Sequence, residues 1–154
     1  MNNIHISRGK RKDNGEWVEG FYVFQRKRSG VFGQVISELD FDRHLIKDIW
    51  GNSYEVIPKT VGQCTGLEDK NGKLIFGGDV VKADGYTFFV KFGKCGGVAN
   101  DENYGYIGYY LDGFDSMTKN ALRLGLRNDI CYFTDIEVIG NIHDDNPELL
   151  EVER

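Results

Sequence analysis

The chain has little proline and no long apolar segment, and each shortage argues against a class of protein. Two prolines stand against 20 glycines in 154 residues. Glycine weakens helix interiors and supplies positive φ in turns, so this balance favours short strands and tight turns over long helices. No apolar run approaches the roughly 20 residues of a membrane-spanning helix, and the first residues lack the apolar core of a signal peptide. We expect a cytoplasmic protein with no membrane partner.

Cysteine and histidine are also scarce, and they form no recognisable catalytic or metal-binding motif. Cys64, Cys95 and Cys131 are widely spaced without a C-x-x-C pair, which favours free thiols. The glycine-rich segment 93–97 fails the phosphate-loop pattern at its first glycine and at its hydroxyl residue. The cluster at 143–145, His-Asp-Asp, is interpreted as a solvated turn rather than a metal site. We therefore predict no catalytic residues, no metal and no cofactor.

Charge is unevenly distributed along the chain, whose net charge is -5. Residues 1–30 contain seven Lys or Arg against three acids, and residues 129–154 contain eight acids against one base. Ends of opposite sign can steer one chain onto another or onto an anionic partner, although two solvated faces are the simpler interpretation. The basic residues considered as a binding surface are Arg8, Lys10, Arg11, Lys12, Arg26, Lys27 and Arg28.

Short runs of aromatic and β-branched residues predict a mainly β chain. The predicted strands are 16–24, 31–37, 54–57, 63–67, 73–76, a strand starting at 80–81, 86–92, 104–111, 131–133 and 137–142. Residues 38–48 fit either a helix or an irregular charged loop, and residues 93–103 are predicted to be a loop. Short helices are predicted near 115–125 and 147–152. Many short strands with tight turns indicate a small barrel or a strongly bent sheet.

The segment 65–81 contains the strongest turn signals. Asn71-Gly72 predicts a hairpin with a primed turn, since both residues tolerate the left-handed conformation. Two glycines before Asp79 allow a sharp bend, across which its carboxylate is predicted to accept backbone N–H bonds, so Asp79 is interpreted as structural. A bulge is predicted in the closing strand at 140–141. The residues assigned to these turns and bends are Asn71, Gly72, Gly77, Gly78, Asp79, Gly140 and Asn141.

Four tyrosines in one predicted strand form the most plausible binding feature. They are Tyr104, Tyr106, Tyr109 and Tyr110. Tyrosine supplies amphipathic area of the type that is enriched at interfaces. A sheet wall with alternately buried and exposed rings accounts for the pattern equally well.

The block TGLEDKNGKLIFGGDVV at 65–81 and the closing EVIGNIHDDNPELLE at 137–151 resemble the YopX-like proteins of bacteriophages and prophages. The resemblance implies an SH3-like β-barrel with a helical insert at 61–154 and a β-rich N-terminal region at 1–60 packed on it. It also implies a phage or prophage origin and a location in the host cytoplasm, but no established activity. The family usually has glutamate where this chain has Gly77, which favours a tolerant turn position over a catalytic carboxylate.

These observations favour a non-enzymatic module that binds an unknown protein partner or assembles with copies of itself. The first alternative is a nucleic-acid-binding module, in which the basic N-terminal residues act with Trp17, Tyr22 and Phe24. The second is a metal-dependent hydrolase that uses Asp79 or the Asp144-Asp145 pair. Acid–base catalysis needs convergent groups in a cleft, and the sequence shows no such convergence.

Overall fold

The computed structural model describes residues 5–26, 42–95, 106–115, 120–125 and 135–144, and their regular structure is almost entirely antiparallel β-sheet. The strands are β1 (Ser7–Lys10), β2 (Trp17–Gln25), β3 (Arg43–Lys47), β4 (Ser53–Glu55), β5 (Gly62–Glu68), β6 (Leu74–Phe76), β7 (Asp79–Ala83), β8 (Tyr86–Cys95), β9 (Tyr106–Asp115), β10 (Asn120–Gly125) and β11 (Glu137–Asn141). A 3₁₀ turn lies at Pro58–Thr60. No helix within these ranges has the length and apolar character needed to cross a membrane. The prediction of a mainly β chain is confirmed.

The chain divides into two compact units, residues 1–63 and 64–154. In the first unit the strands follow the order β4-β3-β2-β1, and β1 pairs with the first residues of β5. In the second unit the rest of β5 pairs with β6, and five further strands follow the order β10-β9-β8-β7-β11. With β10 and β11 at its two edges, this sheet is open among the described residues, and the SH3-like barrel stays a prediction.

The first unit requires glycine at position 20, where the backbone of β2 lies close to the backbone of β3. Up to Gly20, β2 pairs with β1, and from Phe21 onward it pairs with β3. A Cβ atom at Gly20 would overlap the carbonyl group of Lys47, so only glycine fits where β2 changes partner. Ile46, which is 0% exposed, and Val56 are buried in the same unit.

The second unit is built around one apolar core. It contains Ile75, Val81, Ala83, Phe88, Val90, Leu111, Ile136 and Val138. Alternate residues of β8 enter this core, because successive side chains of a strand point to opposite faces. Val90 lies opposite Leu111, and Phe88 lies opposite Gly113. These side chains come from β6, β7, β8, β9 and β11 and from Ile136 just before β11. Their burial stabilises the packing of these strands by about 25 cal/mol for each Å² of apolar surface removed from water.

The helix predicted near 115–125 is wrong. β9 continues to Asp115, and β10 occupies Asn120–Gly125, with every residue paired to β9. Six residues are too few for a helix that is stable by itself, whereas pairing along the free edge of β9 satisfies their backbone groups at once. The predicted helix near 147–152 and the predicted strands at 31–37 and 131–133 lie outside the described residues.

Two further predictions need correction, and one strand was not predicted. Residues 43–47 form β3, and neither the helix nor the loop predicted for 38–48 occurs there. Its adjacent residues Leu45 and Ile46 are both buried, so the strand has no alternating pattern that the sequence could reveal. The loop predicted to start at residue 93 is wrong for 93–95, because β8 continues to Cys95. The polar segment Ser7–Lys10 forms β1, between β2 and β5, which its composition did not predict.

Candidate functional site

A single carboxylate, Asp69, organises the turn between β5 and β6. Its Oδ1 accepts hydrogen bonds from the backbone N–H groups of Asn71, at 2.8 Å, and Lys73, at 2.9 Å. Gly72 has a φ of 79°, but Asn71 is not in the left-handed region. The hairpin is therefore confirmed, since β5 pairs with β6, but the primed turn is wrong. Asp69 replaces it as the device that closes the turn.

The same carboxylate reaches the C-terminal signature segment. Oδ2 of Asp69 accepts a hydrogen bond from the N–H of Val138 in β11 at 3.0 Å, and the neighbouring Lys70 donates its N–H to the carbonyl of Ile136 at 2.8 Å. The ammonium of Lys70 pairs with Glu137 at 2.7 Å and with Asp135 at 3.3 Å. These bonds join residues 69–70 to residues 135–138. The two segments that carry the family resemblance are therefore one hydrogen-bonded assembly.

The pKa of Asp69 is set by its burial and by its hydrogen bonds to the backbone. Burial raises the pKa of a carboxyl group, but the backbone N–H groups of Val138, Lys73 and Asn71 lower it, and the net result is a pKa below the ordinary value. The carboxylate thus stays ionised while only 7% of the residue is exposed.

We expect Asp69 to make the second unit acid-sensitive. A carboxyl group with a lowered pKa in the folded state stabilises the fold above its unfolded pKa of about 3.9. That contribution is lost as the pH falls from there through the lower folded pKa. Urea unfolding of the wild type from about pH 7 down to about pH 2 should show this loss. The variant Asp69→Asn should show a flatter pH profile, and equal slopes for the two proteins would contradict the prediction.

Asp79 accepts a backbone hydrogen bond across the bend, as its position after two glycines predicts. Its residue is 0% exposed, and its Oδ2 accepts the N–H of Phe76 across the bend at 2.9 Å. Its Oδ1 accepts a hydrogen bond from the side-chain amide of Asn141 at 3.0 Å. Gly78 has a φ of 89°, whereas Gly77 does not have a positive φ. The bend therefore requires glycine at 78 but not at 77, in keeping with the glutamate that the family usually has at 77.

The closing strand has the predicted bulge, one residue earlier than expected. Val138 lies opposite Val81 and Gly140 lies opposite Val80, so Ile139 is the extra residue. Beyond it, Asp144 accepts the N–H of Asn141 at 2.9 Å. This bond gives Asp144 a role in the turn, while Asp145 lies outside the described residues. Among the residues that the structure describes, no group of three or more His, Cys, Asp or Glu side chains is placed to hold a metal ion.

The basic residues predicted as a binding surface lie mostly against partners in their own unit. Arg8 is 7% exposed, and its guanidinium lies 4.8 Å from the ring centre of Trp17. The ammonium of Lys10 lies 5.4 Å from the same ring. Arg11 forms a hydrogen bond with Asp13 at 2.9 Å.

Two more of the basic residues can be placed. Lys12 pairs with Glu55 at 3.0 Å. Arg26 is exposed at the end of β2. Lys27 and Arg28 lie outside the described residues.

The structure describes the side chains of two of the four tyrosines, Tyr109 and Tyr110. Tyr110 is 9% exposed, so its ring belongs to the packed interior. Tyr109 is half-buried and packs against the core, and burial raises the pKa of its hydroxyl group. Tyr106 pairs with Cys95 through the backbone, and Tyr104 lies outside the described residues.

The sequence did not predict the exposed apolar side chains of the two-stranded ribbon that β8 and β9 form. Phe92 is 64% exposed and Ile107 is 75% exposed. Phe92 lies directly opposite Tyr109, with ring centres 5.1 Å apart in an edge-to-face arrangement. One signal in the sequence could have revealed Phe92. The alternation of apolar residues in β8 runs from Phe88 and Val90 to Phe92, and Val90 is the last of these that belongs to the core.

We name residues 91–95 and 106–109 the β8–β9 arm. β7 pairs with β8 only at residues 86–89, and β10 pairs with β9 only at residues 110–115. Among the described residues, the arm therefore has no strand beside it on either edge. At about 3.3 Å per residue, the four residue pairs of the arm extend the ribbon by about 13 Å. A two-stranded ribbon is marginally stable in water unless its apolar face is covered.

The described residues define a mainly β protein of two compact units, in which buried aspartates join the two most recognisable segments of the chain. The family can then be stated. The model of the YopX protein family matches residues 8–151, and the chain belongs to that family. Comparisons with curated proteins and with solved structures give no match.

Proposed function

We propose that this protein is a non-enzymatic binding module that engages a partner protein through the β8–β9 arm. The observation that carries the proposal is the exposure of Phe92 and Ile107, at 64% and 75%, on a ribbon without described lateral neighbours. An extended segment of a partner can add to such an edge through main-chain hydrogen bonds, while side-chain pockets give specificity. Large exposed aromatic and branched side chains provide that side-chain contact.

The carboxylates support a binding role over catalysis. Asp79 is fully buried between Phe76 and Asn141, and Asp69 is occupied by three backbone N–H groups. A catalytic carboxylate must reach its substrate, and these two are placed to hold turns. The hydrolase alternative is therefore the weakest of the three.

Nucleic-acid binding remains the alternative proposal. Arg8 and Lys10 beside Trp17 form a basic–aromatic group in the first unit. Arg11 and Lys12, however, pair with Asp13 and Glu55, and this reduces the charge available to phosphates. Retention of single-stranded DNA that weakens steeply with salt would favour this alternative.

The family resemblance supports two further proposals. We propose that the five-stranded sheet of the second unit forms part of an SH3-like barrel. The resemblance also supports a bacteriophage or prophage origin and a location in the host cytoplasm.

The arm is tested by replacing Phe92 and Ile107 with serine together. We expect the tagged wild-type protein to retain a defined set of host proteins and the double variant to lose it. Truncating two central contacts typically weakens an interface by well over tenfold. The measurement is quantitative mass spectrometry of co-purified proteins after chemical cross-linking in host lysate.

Tyr86→Ser provides the matched control, because Tyr86 is an exposed aromatic residue of the same strand, 39% exposed, outside the arm. The control should retain the wild-type set. Identical sets for the wild type and the double variant would contradict the arm as the contact surface.

A further inference from the structure

The turn between β3 and β4 is held rigidly by one carboxylate. Asp48 donates its N–H to the carbonyl of Asn52 at 3.0 Å, and its carbonyl accepts the N–H of Gly51 at 3.1 Å. Its Oδ1 accepts the N–H groups of Trp50, at 2.9 Å, and Asn52, at 2.8 Å. Its Oδ2 accepts hydrogen bonds from the side chains of Asn52 and Tyr54, at 2.8 and 3.3 Å. Gly51 closes the turn with a φ of 86°.

This rigid turn presents two large apolar side chains to solvent. Ile49 is 77% exposed and Trp50 is 81% exposed, more than any other large apolar residue among those described. The hydrogen bonds of the turn use the side chain of Asp48 and the conformation of Gly51, and none uses the side chain of Ile49 or Trp50. Local folding therefore does not explain these two side chains, since polar residues would serve the turn equally well.

A third exposed apolar residue lies at the same end of the sheet. Phe21, which is 50% exposed, is directly opposite Lys47, the last residue of β3 before the turn. Lys47 is exposed and, as the cross-strand partner of Phe21, lies on the same face of the sheet. Glu19 is also exposed and precedes Phe21 by two residues on β2. We name Phe21, Ile49 and Trp50, with Lys47 and Glu19 at the rim, the turn patch.

We propose that the turn patch is the interface of a weak homodimer, in which it packs against the same patch of a second copy around a two-fold axis. A two-fold interface brings one surface against itself, so a single apolar patch is sufficient. Its rim contains one cation and one anion, and antiparallel packing sets Lys47 of each copy near Glu19 of the other. The rigid turn reduces the entropy that association must otherwise overcome.

The size of the patch determines the expected strength. The exposed fractions of Phe21, Ile49 and Trp50 correspond to roughly 400 Å² of side chain, since a large aromatic side chain buries about 150–250 Å². A standard interface buries about 800 Å² per partner. The patch is about half that size, so we infer a reversible dimer that forms at high protein concentration.

A lipid surface is the competing occupant, because exposed Trp is common at membrane interfaces. Binding to a membrane surface needs an apolar insertion together with a cluster of basic residues. The one lysine of the patch is balanced by Glu19 and by the neighbouring Asp48, whose pKa is lowered chiefly by the hydrogen bond from the Asn52 side chain. This charge balance favours a protein surface that contains both signs.

The test uses sedimentation velocity of the 154-residue chain from about 10 µM to about 500 µM. We expect the wild type to sediment faster as its concentration rises. Trp50→Ser should raise the dissociation constant by at least about tenfold, because Trp is the residue type most enriched in interface hot spots. Lys47→Glu and Glu19→Lys should each weaken self-association, and an equimolar mixture of these two variants should restore it.

The variant Phe92→Ser separates this proposal from the function proposed for the arm, on which it does not depend. That variant should dimerise like the wild type. A wild type that stays monomeric at the highest concentration, or a Trp50→Ser protein that still dimerises, would overturn the proposal. Failure of the mixed charge variants to recover would overturn the two-fold arrangement. Binding to anionic phosphatidylserine vesicles without self-association would assign the patch to a membrane instead.

Discussion

Replacing Asp69 with alanine is expected to lower the free energy of unfolding of the second unit by about 4 kcal/mol, since hydrogen bonds to a charged group contribute about 1.5–3 kcal/mol each and are not fully additive. The carboxylate accepts the backbone N–H groups of Asn71, Lys73 and Val138, and one of these bonds is buried between segments 69 residues apart. Alanine leaves three donors without their acceptor and opens the link between the two signature segments. The denaturant midpoint, followed by the near-ultraviolet signal of the aromatic residues, measures the loss.

Glu68→Ala serves as the matched control, because the exposed Glu68 precedes Asp69 and has the same charge. A surface substitution of this kind should change the stability by no more than about 0.5 kcal/mol. Asp69→Asn should fall between the two, since one oxygen remains to accept the turn donors while the link to Val138 is lost. If Asp69→Ala and Glu68→Ala shift the midpoint equally, the carboxylate does not organise the unit.

Replacing Gly113 with alanine is the second substitution with a large expected effect. A Cβ atom there would collide with the ring of Phe88 and approach the carbonyl oxygen of Thr87 to 3.1 Å. Phe88 is 1% exposed and belongs to the core, so its ring has no free space into which to move. Overpacking of this kind typically costs about 1–3 kcal/mol, and we expect the upper end of that range. Thermal and urea unfolding both measure it.

Gly93→Ala provides the control within the same ribbon. Its Cβ would lie 3.6 Å from the ring of Tyr110, which is an ordinary contact, and its φ is not positive. This variant should stay within about 1 kcal/mol of the wild type, because only the propensity of the residue changes. A loss of stability as large as that of Gly113→Ala would mean that glycine is required along the ribbon for its flexibility rather than at 113 for space.

The candidate surfaces show how far the sequence could predict function. Phe92 and Ile107 lie in strands that the sequence predicted in part. Their exposure depends on where the pairing of β7 with β8 and of β10 with β9 ends, and no local sequence pattern predicts these two positions. The turn patch depends on Phe21 lying opposite Lys47, the residue before the turn, and the register of β2 with β3 decides this. For the tyrosines the sequence left an interface and a sheet wall with alternately buried rings open, and Tyr110 is buried in the structure.

The sequence by itself determined the mainly β character, the hairpin at 71–72, the hydrogen bond of Asp79 across the bend, the bulge near 140 and membership of the YopX family. These features depend on local chemistry: glycine for positive φ, a carboxylate beside a bend, and alternating apolar residues. Tertiary structure alone decided that Asn120–Gly125 is a strand, that Ser7–Lys10 is a strand, and that Asp69 joins two distant segments. The physical reason is that edge pairing and long-range hydrogen bonds depend on neighbours supplied by distant parts of the chain, which outweigh weak local preferences.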